Sequence, residues 1–219
     1  MEITSAHEIA KWFIKNGFDS PRNTFDGNMK LQKMLYFAQL IHLARYEQPL
    51  FVENILAFKN GSVIEEVRHK YQYSHYEYIS SAITENTRYT SEQLDTMLTT
   101  QELFGELSAS DLSEINHLHS SWDEAYEKSR FGSYHEKSLS IIALGRLIEN
   151  EVPLIKEILS AHEATKEIQT YEVVNGRKFF YDPNQITINE EILALLESFN
   201  GPDSSYSIYK DETAGILIF

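Results

Sequence analysis

Apolar residues recur at helical spacing along most of the chain, and the period changes only near its end. Ala6, Ile9, Ala10 and Phe13 mark a first helix over residues 5–16, with Ser5 as cap and Glu8 three residues later in a capping-box pattern. The turn-rich "GFDSPRNTFDGN" closes it. A second helix from about Lys30 to Tyr46 carries two apolar stripes. One is Leu31, Met34, Leu35, Ala38 and Ile41; the other is Phe37, Leu40 and Ala44. A helix apolar nearly all round belongs inside a protein. Residues 49–62 hold two short apolar runs ending in an Asn60-Gly61 turn, which predicts a short strand pair. Helical character resumes at Val63. Further helices are expected within 91–107, 111–129 and 138–168, with breaks near Gly105, Gly132 and Pro153. After residue 169 the style changes. "TYEVVNGRKFFYDP" places β-rich flanks around Asn175-Gly176, a strong hairpin signal. Asn189 caps a short helix through Leu196, and two strands flank a turn at Asp211–Gly215. The expected architecture is mainly α. It has a compact multi-helix domain over 1–169 with a short β-hairpin connection, and a small C-terminal α+β module over 170–219.

Composition narrows the class. The 219 residues are 42% hydrophobic and 12% aromatic, in the range of a folded globular chain with room for a core. There is no cysteine, which excludes disulfides and thiolate metal sites and suits a reducing compartment. The first residues carry no basic lead and apolar run, and no stretch approaches the roughly 18 apolar residues of a spanning helix. A cytoplasmic protein without membrane contact is expected. The net charge of −14 is lopsided. Residues 1–80 hold 9 basic and 9 acidic side chains, whereas 81–219 hold 10 and 24. A field of that sign repels phosphate backbones, so no direct nucleic-acid binding is expected, and it suits either solubility alone or a basic protein partner.

Motifs for chemistry are sparse. There is no glycine-rich phosphate loop, no HExxH and no GxSxG. His117 and His119 sit two apart, which on one helix would aim them at different faces, so no metal and no cofactor is assigned. Two stretches remain. Gln32, Gln39 and His42 ride on the apolar second helix and need loop backbone, water or a bound molecule to pair with. "KYQYSHYEY" at 70–78 holds four tyrosines. Tyr71 and Tyr78 share a side with Val67 and belong to a core; Tyr73 and Tyr76 point away, as interface anchors or as rings covered by neighbouring elements.

"MKLQKMLYFAQLIHLARYEQPLFVENILAFKNGSVIEEVRHKY" resembles the signature of the Panacea domain, the SocA-like antitoxin and phage-associated GepA-like family. Lys30, Leu31, Gln32, Lys33, Leu35, Tyr36, Phe37 and Ala38 carry the helix of that pattern. His42, Leu43, Pro49, Leu50, Phe51, Ala57, Gly61 and Val63 follow it, and His119 and Trp122 resemble its later His…Trp segment. The likeness extends over roughly 5–130. Ser62 stands where the family usually has proline. The resemblance implies a helical domain that acts by binding: an antitoxin of a type II toxin–antitoxin system, neutralising a cognate toxin, alarmone-synthetase-like enzymes among the candidates. A SocA-like proteolytic adaptor that hands a toxin to a protease is one alternative. A bacterial or phage enzyme with a carboxylate/His site is the other. No catalytic residues are implied. The expected partner-binding residues are Tyr73, Tyr76, Ser62, Glu65 and Glu66; Gln32, Gln39, His42, His119 and Trp122 form an expected structural polar network.

Overall fold

A computed structural model describes residues 4–167, 170–211 and 215–219. The chain is mainly helical with small sheets and divides into two compact units, residues 1–157 and 158–219. The division falls inside a helix, whereas the change of sequence style places it at 169/170.

In the first unit, α1 (Ala6–Lys15) starts at Ser5, whose side chain accepts from the Glu8 amide. Helix α2 (Phe25–Tyr46) begins five residues earlier than the apolar stripes predict. Thr24 is the reason: its hydroxyl accepts from the Gly27 amide, a cap that satisfies an otherwise unpaired donor. From Leu31 to Ala44 every α2 residue is buried, polar ones included. Helix α1, α3 (Glu65–Tyr73), α5 (Ser91–Phe104) and α6 (Ala109–His117) all pack on it. The expected strand pair is β1 (Leu56–Phe58) and β2 (Gly61–Val63), antiparallel.

Three predicted helices are interrupted. The helix from Val63 breaks at Ser74, where α3 gives way to α4 (His75–Thr84), yet Tyr71 and Tyr78 are both buried as their spacing requires. The segment 111–129 splits into α6 and α7 (Ser120–Ser129). The third, 138–168, opens with a bridge between Ile141 and Leu56 beside β1. A short α8 (Leu144–Arg146) and one π turn at Leu147–Glu151 then lead into α9 (Val152–Glu167). Between α7 and that bridge, β3 (Arg130–Phe131) and β4 (Tyr134–His135) make a tight hairpin.

In the second unit, β5 (Thr170–Val174) and β6 (Arg177–Tyr181) form the Asn175-Gly176 hairpin. Helix α10 (Glu190–Ser198) is capped by the Asn189 side chain. Strand β7 (Ser205–Asp211) pairs parallel to β6 and antiparallel to β8 (Gly215–Ile218). The residues expected to turn between β7 and β8 lie at 212–214, outside the described residues. Val174, Phe179, Ile186, Leu196, Tyr206 and Ile208 make this unit's core.

Candidate functional site: a buried polar spine, an aromatic edge and a basic cleft

The polar side chains of α2 are paired one by one. Gln39 Oε1 accepts from the Leu50 and Phe51 amides at 2.8 and 3.2 Å, and its Nε2 donates to the Phe51 carbonyl at 3.1 Å. It thus pins the PLF loop to the helix. Gln32 Oε1 accepts from the Ile64 amide at 2.8 Å and holds the entry to α3. His42 Nδ1 lies 2.8 Å from the Thr96 hydroxyl. Its pKa is lowered to about 4 by burial, against a weaker opposing pull from Asp95. One turn on, Arg45 and Tyr46 both bind Asp95, so α2 and α5 meet along a polar seam.

A second cluster lies deeper. Lys33 is fully buried and donates from Nζ to the Ser62 carbonyl at 3.0 Å. No carboxylate forms an ion pair with it among the described residues. Burial alone lowers its pKa to about 7. The Ser62 amide donates to Asn116 Oδ1 at 2.5 Å. Ser62 Oγ and Asn116 Nδ2 are buried without partners. Gly61 is required here: its φ is +93°, and a Cβ on it would meet Asn116 Oδ1 at 2.4 Å and Lys33 Nζ at 2.5 Å. Nearby, the Tyr36 hydroxyl and His119 Nδ1 are 2.7 Å apart. Burial, and then Glu151, hold the phenol protonated, while burial lowers the His119 pKa against the pull of Glu151. Both groups are therefore neutral, and the His119 tautomer sets which of them donates. Glu151, on the π turn, accepts from the Ser121 amide at 2.9 Å.

His119 is the N-cap residue of α7, at the break that the uninterrupted 111–129 helix omitted. The kink turns His119 into the core and leaves His117 tilted against Trp122 at 4.2 Å between centroids. Trp122 does not join the His119 cluster; its Nε1 donates to the Phe58 carbonyl at 3.1 Å. Among the described residues no group of three or more His, Asp or Glu side chains is placed to hold a metal.

The residues expected to meet a partner separate into three kinds. Tyr73 and Tyr76 are 73% and 83% exposed, and Ile83, one face further along α4 from Tyr76, is also exposed. Glu66 is exposed. Glu65 is partly covered, and one of its oxygens lies 2.5 Å from Lys137, 3.2 Å from Arg68 and 3.4 Å from His69. Ser62 requires a correction. It is fully buried, its backbone held on both sides by Asn116 and Lys33, so its side chain presents nothing to a partner. The absence of proline at this position leaves the Ser62 amide free to make the Asn116 bond.

A cleft of about 850 Å³ opens between the start of α2, the β1–β2 turn, α3, and the α7–β4 segment. Its titratable lining is basic or phenolic: Lys33, Lys59, Arg68, Arg130 and His135, with Tyr71, Tyr126 and Tyr134. No Asp or Glu among the described residues lines it. The contributing segments lie far apart in the chain and no short window concentrates the charge, so nothing in the local sequence signals it.

Residues 31–123 match the family model of the antitoxin SocA-like, Panacea domain. The resemblance drawn from the signature is shown over that stretch. The Panacea segment runs from Leu31 in α2 to Asp123 in α7 and takes in Lys33, Gln39, His42, Ser62, both exposed tyrosines and His119. Arg130 and the β3–β4 hairpin, which complete the cleft, lie beyond it. No curated protein matches the chain, and no solved structure does. No helix among the described residues is long and apolar enough to cross a membrane.

Proposed function

We propose that the chain is an antitoxin of the type II kind, which neutralises a cognate toxin protein by stoichiometric binding. The reading rests on the SocA-like Panacea match. The exposure of two rings, Tyr73 and Tyr76, on consecutive helices supports putting the contact there. Exposed tyrosines lose little conformational freedom on binding and are enriched at interface hot spots. Glu66 beside them and the acidic stretches after residue 80 would speed encounter with a basic partner, an effect that salt screens.

Two features favour binding over turnover. The Tyr36–His119–Glu151 cluster, the nearest thing to a carboxylate/His site, is closed to solvent, and each member is engaged in holding the fold. The groups a nucleophile would need are not gathered in an open site around it.

Co-expression with the product of the adjacent gene tests the proposal. Growth should be restored only when the antitoxin is at or above one equivalent. Protection at a small fraction of an equivalent would point to catalysis. Toxin abundance separates the adaptor reading: neutralisation leaves the toxin level unchanged, whereas delivery to a protease lowers it.

A further inference from the structure

We propose that the cleft beside the Panacea core is a binding site for a small anionic ligand with a planar ring, of the mononucleotide class. The two requirements of such a ligand, charge neutralisation and a stacking surface, are met by different parts of the lining.

The anionic end is served by a concentration of cations that the rest of the molecule does not share. The chain as a whole is strongly acidic, yet among the described residues no carboxylate lines the cleft. Acidic groups approach as partners of lining residues: Glu65 to Arg68, Glu127 to Arg130, Glu136 to the Tyr134 hydroxyl, and buried Asp19, itself paired with Arg22, to the Tyr71 hydroxyl. None of these cancels the site. The Glu65 oxygen is shared among Arg68, His69 and Lys137, and Arg130 lies 3.5 Å from Glu127 at an exposed position. Arg68 Nε is buried with no hydrogen-bond partner, an unusual state for a guanidinium donor. Arginine forks match phosphate oxygens in geometry as well as charge. Lys33 at the floor is buried, with its Nζ held by the Ser62 carbonyl, so the arginines carry the charge.

The planar end is served by the aromatic lining. Phe25, Phe58, Tyr126 and Tyr134 border the same cavity, and Phe25 and Tyr134 are largely exposed. Arg130 already sits over the Tyr126 ring at 5.6 Å, and Arg68 over the Phe58 ring at 5.9 Å. These guanidinium groups cover the Tyr126 and Phe58 faces, so the faces open to a base are those of the exposed Phe25 and Tyr134, in the same lining as the cations. Asn28, Asn60 and Gln72 supply amides for the ring edge. The volume lies within the usual range for sites that enclose a small ligand. An extended acidic peptide would also meet the cations. It would leave the exposed ring faces without a stacking partner, and the nucleotide is favoured on that ground.

Calorimetric titration of the full chain with AMP, ADP, ATP, inorganic pyrophosphate and a glutamate-rich decapeptide tests this. At least one nucleotide should saturate at one per chain and bind more tightly than pyrophosphate. Arg130→Gln, in the β3–β4 hairpin, should weaken nucleotide and pyrophosphate together by about tenfold. Tyr134→Ala should weaken the nucleotide by about tenfold and leave pyrophosphate unchanged, because stacking is lost and charge is not. Arg68→Gln should behave as Arg130→Gln does. If it lowers the melting temperature of the free protein, the Arg130 and Tyr134 variants still decide the question. Absence of saturable nucleotide binding up to millimolar concentration overturns the proposal. Equal affinity for pyrophosphate overturns the planar part, and preference for the decapeptide assigns the cleft to a protein segment instead. Toxin neutralisation is scored separately, so failure here leaves the antitoxin reading standing.

Discussion

The two units of this chain bury different things. The interior of residues 1–157 includes Lys33, Gln32, Gln39, His42, His119 and Glu151, most of them tied to backbone groups outside their own helix. The core of residues 158–219 is six apolar or aromatic residues, among them Phe179 and Tyr206 stacked at 5.6 Å. An apolar core accepts many arrangements of similar volume, whereas each buried polar group accepts only those that pair it. The first unit therefore has its loops fixed by side chains of one helix, and the second is held by pattern and packing.

The largest effects should come from charges placed in either core. Leu35→Asp puts a carboxylate where no partner exists, against a total stability of about 5–15 kcal/mol, and should unfold the first unit. Phe179→Asp should do the same to the sheet of the second. Hydrogen exchange resolved along the chain checks both. If the units are thermodynamically separate, Phe179→Asp leaves the α2 amides protected; their loss would show that the two cores melt as one.

Gln39→Leu comes next and sharpens the contrast. It retains volume but strands the Leu50 and Phe51 amides, which should cost about 2–6 kcal/mol, each orphaned donor contributing about 1–3. An equally conservative apolar exchange in the second unit, Ile208→Leu, should cost less than about 1.5 kcal/mol. Chemical denaturation of the two variants gives the comparison, and equal losses would remove the distinction between the cores.

How much of this was legible follows the same division. Period alone gave the hairpin at Asn175-Gly176 and the capped helix at Asn189, because an apolar core is built from the pattern that sequence displays. It also marked α2 as buried, and the stranded positions of Gln32, Gln39 and His42 showed that partners were needed. What those partners are depends on residues such as Ile64, Phe51 and Thr96, which lie 12 to 54 positions away, and no local pattern encodes that. Lys33 was read only as part of a signature, since a lysine on a helix ordinarily lets its amine reach solvent. Ser62 enters as a partner-binding residue through the family resemblance, while its burial follows from the backbone bonds to Asn116 and Lys33, far off in the chain. The break at His119 carried no proline or glycine to announce it.

Lys33 predicts a smaller but diagnostic effect. Its pKa falls to about 7 in the folded chain from 10.5, so between these values the unfolded chain holds a proton that the folded chain lacks. Stability should therefore rise with pH across that window, by on the order of 1 kcal/mol per unit from this group, and be insensitive to it below about 7. Lys33→Met should flatten the rise relative to the parent protein in urea melts at pH 7, 8 and 9. An unchanged slope would place the amine in contact with water.

The smallest change in stability is expected where the change in function is expected to be greatest. Tyr73→Ala and Tyr76→Ala remove rings that are mostly in solvent, so each should alter unfolding free energy by less than about 0.5 kcal/mol. Tyr71→Ala and Tyr78→Ala, from the same nine-residue stretch, should each cost about 3–5 kcal/mol, because their rings are buried. The Tyr71 hydroxyl also binds Asp19 at 3.0 Å, and that of Tyr78 lies 3.1 Å from His7. Measured against the cognate toxin, the exposed pair should raise the dissociation rate by tenfold or more, and added salt should lower the association rate while changing dissociation little. The four tyrosines then divide cleanly into two that hold the fold and two that hold the partner. Normal toxin binding by both exposed variants would move the interface elsewhere on the chain, with the Asn175-Gly176 hairpin the next surface to test.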